Sequence, residues 1–257
     1  MKFSFKYALK MPLKTSINYS PNFDPKKRTF KQIKFIIFHY TGMKSESKAL
    51  SRLIDIQSEV SSHYFIKNNG EIIKLVPDLY IAWHAGKSCW KNHKSLNQNS
   101  IGIEITNPGH DHGYKKFTQK QITSLLKLSR FLIKKYKINP RNILGHSDIA
   151  VLRKKDPGEK FPWEYLSKNK IGIWHTLNKQ DLLKNRKLKI SKIEENIFFR
   201  NLFKIGYSKT FPKNIGRNKY LRELIKTFQR RFRQELVDGK IDQESLLINK
   251  CLIKAYN

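Results

Sequence analysis

The apolar positions change their spacing along the chain, and each spacing predicts a different element. Residues 33–38 form a nearly continuous apolar run, typical of a buried central strand, and this strand would end at His39. In residues 101–106 the apolar positions alternate strictly, so three isoleucines share one face and Glu104 points to the other. The pattern therefore predicts two strands that each present one ionisable side chain.

A hairpin and a long helix are predicted by two further patterns. Two apolar segments within residues 62–76 flank Asn-Asn-Gly at 68–70, a turn in which glycine tolerates positive φ. Thr118 and Gln121 form a capping box, after which apolar residues recur at helical spacing up to Asn-Pro at 139–140. We therefore expect a hairpin in the first segment and an amphipathic helix in the second.

Residues 142–148 are predicted to form another short strand, with His146 near its end. Strands that alternate with a long helix indicate an α/β domain, which we place over residues 30–177. Residues 1–29 are polar and basic and are interrupted by prolines. We expect them to form an extension that drapes over the domain or stays mobile.

The last part of the chain is predicted to be helical. Residues 178–190 are rich in Lys, Asn and Leu without a strand pattern, and we interpret them as a linker or a connecting helix. A small all-α domain is expected over residues 191–257. Within it, apolar residues share one face of a helix that should end at Asp238-Gly239, and residues 243–256 resemble another helix.

Composition is compatible with a globular protein that has an anionic partner. The 257 residues are 39% hydrophobic, and 52 Lys and Arg against 20 Asp and Glu give a formal net charge of +32. Nucleic acid, an anionic membrane and a cell-wall polymer all fit such a charge. The basic residues are spread along the whole chain without a recognisable nucleic-acid motif, so no nucleic-acid partner is expected.

Targeting signals and cysteines add little. Cys89 and Cys251 are the only cysteines in the sequence, so no disulfide framework is expected. Residues 1–14 lack the continuous apolar stretch of a signal peptide, and no segment approaches the ~20 apolar residues of a membrane span. We therefore expect a soluble protein, and the sequence does not indicate its export route or its oligomeric state.

Three residues are candidate metal ligands: His39 at a strand end, His146, and Asp156 in a loop. Two imidazoles and one carboxylate suit Zn²⁺ and leave a fourth position open for water, the arrangement of a catalytic site. Glu104 is a candidate general base and Lys154 a candidate partner for an oxyanion. Taken singly, each residue is as well explained by an ordinary structural role.

A resemblance adds to this interpretation. Several segments, in this order and spacing, resemble the type-2 N-acetylmuramoyl-L-alanine amidases. They are Phe38-His39-Tyr40-Thr41, Ser62-His63-Tyr64-Phe65-Ile66, Ala82-Trp83-His84-Ala85-Gly86, Ser100-Ile101-Gly102-Ile103-Glu104-Ile105, Gly145-His146-Ser147-Asp148-Ile149-Ala150 and Lys154-Lys155-Asp156-Pro157-Gly158. The resemblance implies the fold shared with peptidoglycan recognition proteins, a central mixed β-sheet flanked by helices.

The resemblance also implies roles for the residues. One Zn²⁺ per chain would be bound by His39, His146 and Asp156, with Glu104 as the base and Lys154 supporting the transition state. The substrate would be peptidoglycan or a muropeptide, cut at the amide between N-acetylmuramic or anhydromuramic acid and L-alanine. The alternative is a non-catalytic peptidoglycan-binding protein of the same fold, which would have lost a ligand or the base.

Other residues have two interpretations. Trp83 and His84 are expected to line the substrate pocket or to pack structurally, and Asp148 either orients His146 or caps a turn. Residues 224–232 and 238–242 resemble the helical peptidoglycan-binding module of the AmiD-like branch of these amidases. That module indicates the cell envelope, whereas the missing signal-peptide pattern indicates the cytoplasm, and both locations stay open.

Overall fold

A six-stranded mixed sheet lies at the centre of the computed structural model, which describes residues 13–256. The strands among these residues are β1 (Ser16–Ile17), β2 (Phe23–Asp24), β3 (Phe35–Tyr40), β4 (Tyr64–Ile66), β5 (Ile72–Lys74), β6 (Ile81–Ala82), β7 (Cys89–Trp90), β8 (His93–Lys94), β9 (Ser100–Ile105) and β10 (Ile143–Gly145). The strand order in the central sheet is β1-β5-β4-β9-β3-β10. The predicted mixed sheet is confirmed.

Helices cover both faces of this sheet. They are α1 (Glu46–Ile54), α2 (Gln119–Tyr136), α3 (His146–Ile149), α4 (Trp163–Lys168), α5 (Lys179–Asn185), α6 (Lys192–Ile205), α7 (Arg217–Phe232) and α8 (Gln243–Lys254). The capping box of Thr118 and Gln121 begins α2 as predicted. No helix among residues 13–256 is long and apolar enough to cross a membrane.

The register of β3 and β9 places the two predicted ionisable residues side by side. These strands run parallel, and His39 lies opposite Glu104 in adjacent positions of the sheet. β10 pairs with β3 on its other side, also in parallel, so the chain leaves β10 beside the end of β3. His146 was predicted to lie near the end of that strand, and it is instead the first residue of α3, directly after it. Parallel strands thus bring their carboxyl ends, and the residues that follow them, to one edge of the sheet.

Residues 13–29 were expected to form an extension, but they contribute to the sheets. β1 pairs in parallel with β5 at the sheet edge, and β2 pairs with β6. Arg28 is buried, and its guanidinium donates hydrogen bonds to the carbonyls of Asp78 and Asn97. Strands of two residues are too short to show a periodic pattern, so the sequence could not reveal them. Residues 1–12 of the predicted extension lie outside the described residues.

The C-terminal helices pack directly on the sheet. Phe35 and Ile37 of β3 belong to the same buried cluster as Phe198 of α6 and Phe228 of α7, while Ile36 and Phe38 face the α2 side. Residues 178–190 contain α5, so the connecting-helix alternative describes them. A continuous core therefore joins the helical unit to the sheet.

α7 ends at Phe232, earlier than the predicted end at Asp238-Gly239. The side chains of Gln229 and Arg233 bind Asp238, which fastens the following loop back onto the helix. These side-chain hydrogen bonds hold the loop in place, so the helix ends before Asp238-Gly239, where the sequence predicted its end.

Candidate metal centre

Three side chains converge at the carboxyl edge of the sheet. Nδ1 of His39 lies 2.9 Å from Nδ1 of His146, and both nitrogens lie 3.1 Å from Oδ2 of Asp156. All three residues are buried. The structure thus brings together the three predicted ligands, which are far apart in the sequence.

The spacing of these atoms fits a tetrahedral ion. With metal–ligand bonds of about 2.0–2.1 Å, tetrahedral geometry separates ligand atoms by roughly 3.3 Å. The observed separations are close to that value. Burial opposes ionisation of Asp156, but charge and hydrogen bonds from the two histidines lower its pKa below the ordinary value. These effects need protons on the rings, and a bound cation would stabilise the carboxylate in their place once the histidines act as ligands.

A series of hydrogen bonds determines which nitrogen of His39 carries the proton and which one offers a lone pair to this cluster. The carbonyl of Leu96 can only accept, so the hydroxyl of Ser100 donates to it and Oγ of Ser100 accepts from Nε2 of His84 at 3.1 Å. Burial lowers the pKa of His84 well below its ordinary value, so the ring is neutral.

The neutral His84 ring then accepts at Nδ1 from Nε2 of His39, at 3.0 Å. Burial and the neighbouring His146 lower the pKa of His39 to about 4, so this ring too is neutral near pH 7. With its proton on Nε2, His39 presents a free lone pair at Nδ1, the nitrogen that faces the other two ligands.

The ring of His146 is oriented in the same way by a backbone carbonyl. Its Nε2 donates to the carbonyl oxygen of Ala85 at 3.1 Å, which turns Nδ1 toward His39 and Asp156. Arg153 also donates to this oxygen, at 2.8 Å, and to the carbonyl of Lys87. Arg153 therefore fixes the loop that orients His146, a contact that the sequence did not indicate.

Asp148 was expected to orient His146 or to cap a turn, and the geometry matches the cap. Its carboxylate accepts a hydrogen bond from the backbone N–H of Gly145 at 2.8 Å, whereas the His146 ring contacts Ala85. Asp148 thus acts on the backbone of the turn that carries His146.

Gly102 makes room for this arrangement. A Cβ atom at this position would lie 2.4 Å from Cγ of His84, so any larger residue would displace the ring that orients His39. The sequence places this glycine in the predicted strand, but only the structure explains why a glycine is needed there, because His84 packs against it.

Glu104 lies beside the cluster with one oxygen free. Its Oε2 is buried and has no hydrogen-bond partner among residues 13–256. Burial raises the pKa of Glu104 well above its ordinary value, Asp156 adds to this shift, and Lys154 opposes it. A cation held by the three ligands would lower that pKa and favour the ionised form. An unpaired carboxylate oxygen at this position is suited to accept a proton.

A cavity of about 380 Å³ opens onto the cluster. Glu104, His146 and Asp156 line it, together with Lys154, which has no ion-pair partner within the described part of the chain. Trp83 and His84, the predicted substrate-binding residues, also line it. Trp83 donates through its indole to Asp24, whereas His84 is committed to the hydrogen-bond chain above.

Comparisons with known proteins agree with this site. A family profile described as N-acetylmuramoyl-L-alanine amidase matches residues 29–159. The chain is 34% identical over 239 residues to the N-acetylmuramoyl-L-alanine amidase AmiD of Escherichia coli (strain K12), which covers 88% of this chain and 84% of that protein. It is also 34% identical over 167 residues to the 1,6-anhydro-N-acetylmuramyl-L-alanine amidase AmpD of Haemophilus influenzae, covering 58% of this chain and 88% of that one.

Solved structures agree as well. AmiD from E. coli, in complex with the substrate anhydro-N-acetylmuramic acid-L-Ala-D-gamma-Glu-L-Lys, superposes with a TM-score of 0.76 at 32% identity, over 91% of this chain and 93% of that one. AmpDh3 from Pseudomonas aeruginosa, in complex with anhydromuramic pentapeptide, gives a TM-score of 0.75 at 29% identity, over 90% and 94% of the two chains. The chain belongs to the N-acetylmuramoyl-L-alanine amidase family, whose enzymes are metal-dependent.

Proposed function

We propose that this chain is a Zn²⁺-dependent amidase that hydrolyses the amide between N-acetylmuramic or anhydromuramic acid and L-alanine. One observation supports this most: two imidazoles and a carboxylate converge beside Glu104, which lines the same cavity and has a buried oxygen without a hydrogen-bond partner among residues 13–256. A binding protein would have no need for an unpaired buried carboxylate oxygen at this position, because burying it without a partner costs free energy.

Each residue has a part in this reaction. Zn²⁺ held by His39, His146 and Asp156 would lower the pKa of water to about 7 and polarise the lactyl carbonyl. Glu104 accepts the proton of the water that attacks this carbonyl carbon. The carbon–nitrogen bond then breaks, and Glu104 returns the proton to the departing alanine nitrogen. The Lys154 ammonium offsets negative charge on the carbonyl oxygen during both steps.

The mouth of the cavity suits an anionic substrate. Arg52, Arg153, Lys154 and Lys155 line it, and Asp111 is the acidic residue that pairs with Lys155. A muropeptide carries carboxylates on its stem peptide, which such side chains would attract. The relatives AmiD and AmpDh3 have been crystallised with anhydromuropeptides, which supports a peptidoglycan fragment as substrate here. The helical unit would bind the polymer as well, and so would raise the local concentration of substrate near the metal site.

The experiment is incubation of the purified protein with muropeptides, followed by mass spectrometry. We expect separate muramic-acid and stem-peptide products, no products after chelation, and recovery when Zn²⁺ is added. Glu104→Gln is the matched control, because it keeps the three ligands and removes the base. Binding of muropeptides by the zinc-loaded wild type without product would instead establish the non-catalytic alternative.

A further inference from the structure

Asp148 is a buried carboxylate whose side-chain partners come from the C-terminal helices. Its Oδ1 accepts from the hydroxyl of Tyr207 at 2.8 Å, and its Oδ2 accepts from Nη1 of Arg231 at 2.5 Å. All three side chains are at most 3% exposed. Tyr207 follows α6 and Arg231 belongs to α7, so the contact crosses from the helical unit to the metal-binding half of the chain.

The contact fixes the turn that carries a metal ligand. Asp148 accepts from the backbone N–H of Gly145, and His146 lies between these two residues. A second arm of Arg231, Nη2, donates to the carbonyl of Ile143 in β10 at 2.9 Å. One guanidinium therefore holds both the strand before His146 and the helical turn that contains it.

The same turn is linked to another ligand. The backbone N–H of Ser147 donates to the carbonyl of Asp156 at 2.8 Å, so a shift of α3 would move both His146 and Asp156. The Arg231 guanidinium also lies 4.4 Å from the centre of the Trp163 ring, which restricts its position further.

We propose that Arg231 and Tyr207 are positioning residues for the metal site, and that the C-terminal helices complete this site in addition to any role in binding the polymer. Through Asp148 they set the position of α3. The position of α3 in turn sets how closely His146 and Asp156 can approach a single ion. The proposal rests on the proposed function only in requiring that the site binds a metal.

Arg233 provides a matched control. It is also 3% exposed, it directly follows α7, and it pairs with carboxylates. Its partners, Asp238, Asp242 and Glu244, all belong to the helical unit. Removing either guanidinium leaves a buried carboxylate without a charged partner, Asp148 or Asp242, but only Arg231 is connected to the turn of His146.

The test compares the full-length variants Arg231→Met, Arg233→Met and Tyr207→Phe with the wild type. Zinc affinity is measured by chelator competition, ligand geometry by the visible absorption of the Co²⁺-substituted protein, and stability by thermal unfolding. We expect Arg231→Met to raise the zinc dissociation constant by roughly 10–100-fold and to change the Co²⁺ spectrum. Arg233→Met should lower the Tm and leave both metal readouts unchanged.

Tyr207→Phe keeps the test decisive if Arg231→Met does not fold, because it removes a single hydroxyl. It should shift the zinc dissociation constant in the same direction by a smaller factor. Wild-type affinity and spectrum in the folded Arg231 variant, or in Tyr207→Phe if that variant alone folds, would overturn this proposal and leave the proposed function intact. A wild type that binds no metal would overturn both.

Discussion

Replacing Gly102 by alanine tests the hydrogen-bond chain that orients His39. The new methyl group would lie 2.4 Å from Cγ of His84 and 2.7 Å from its Nδ1, whereas ordinary contacts begin at 3.4 Å. The ring would therefore have to move by 3.4 minus 2.4, or about 1 Å. Gly102 lies in the central strand β9, where the backbone has little freedom to yield.

A displacement of this size would break the hydrogen bonds that link Ser100, His84 and His39. The bonds of His84 to His39 and Ser100 measure 3.0 and 3.1 Å, and a further 1 Å exceeds the range of a hydrogen bond. Overpacking a core typically costs about 1–3 kcal/mol. Losing the group that orients a metal-binding imidazole typically lowers metal affinity by about 10–100-fold. We expect both effects in Gly102→Ala.

Chelator competition measures the zinc dissociation constant, and thermal unfolding measures stability. Gly216→Ala is the control, because a Cβ there meets no atom within 4 Å. It should leave affinity and Tm near the wild-type values. If Gly102→Ala binds zinc as tightly as the wild type, the hydrogen bonds of His84 do not control the orientation of His39, and this explanation is wrong.

Three further predictions concern the reaction and the stability of the fold. Glu104→Gln should lower kcat for muropeptide hydrolysis by about 10²–10⁴-fold while zinc content stays unchanged; a smaller loss would remove Glu104 as the base. Lys154→Met should lower kcat by about 10²–10³-fold, again with normal zinc content, whereas a defect confined to KM would indicate substrate binding only. Burial opposes ionisation of Asp78, but hydrogen bonds from Lys135, Tyr136 and Tyr64 lower its pKa in the folded protein. Its stabilising effect is therefore present above the unfolded pKa of about 3.9 and is lost as the pH falls below it. Asp78→Asn should lower the Tm at pH 7, and its difference from the wild type should shrink below about pH 4; a pH-independent difference would contradict this.

The parts of the site that lie on strands could be predicted from the sequence. The apolar run before His39 and the alternation around Glu104 place both side chains at defined positions, and β3 and β9 have the expected bounds within two residues. The proximity of His146 and Asp156 to His39 depended on the resemblance, because no local spacing connects ligands so far apart in the chain.

Other features depend on tertiary packing that no periodic pattern encodes. His84 was expected to touch substrate or to pack, and its bond to His39 exists because Gly102 and Ser100 lie beneath it. The apolar face of α7 was evident from the sequence, but not the surface that it covers. Arg231 does not belong to the apolar face of α7, yet the structure shows it buried against Asp148.

The central claim is that three distant side chains hold one zinc ion beside Glu104. Anomalous diffraction at the zinc edge, from crystals of the zinc-loaded protein, tests it most directly. We predict a single strong peak within about 2.0–2.2 Å of Nδ1 of His39, Nδ1 of His146 and Oδ2 of Asp156. No peak at this position, or a peak bound to other side chains, would contradict the account.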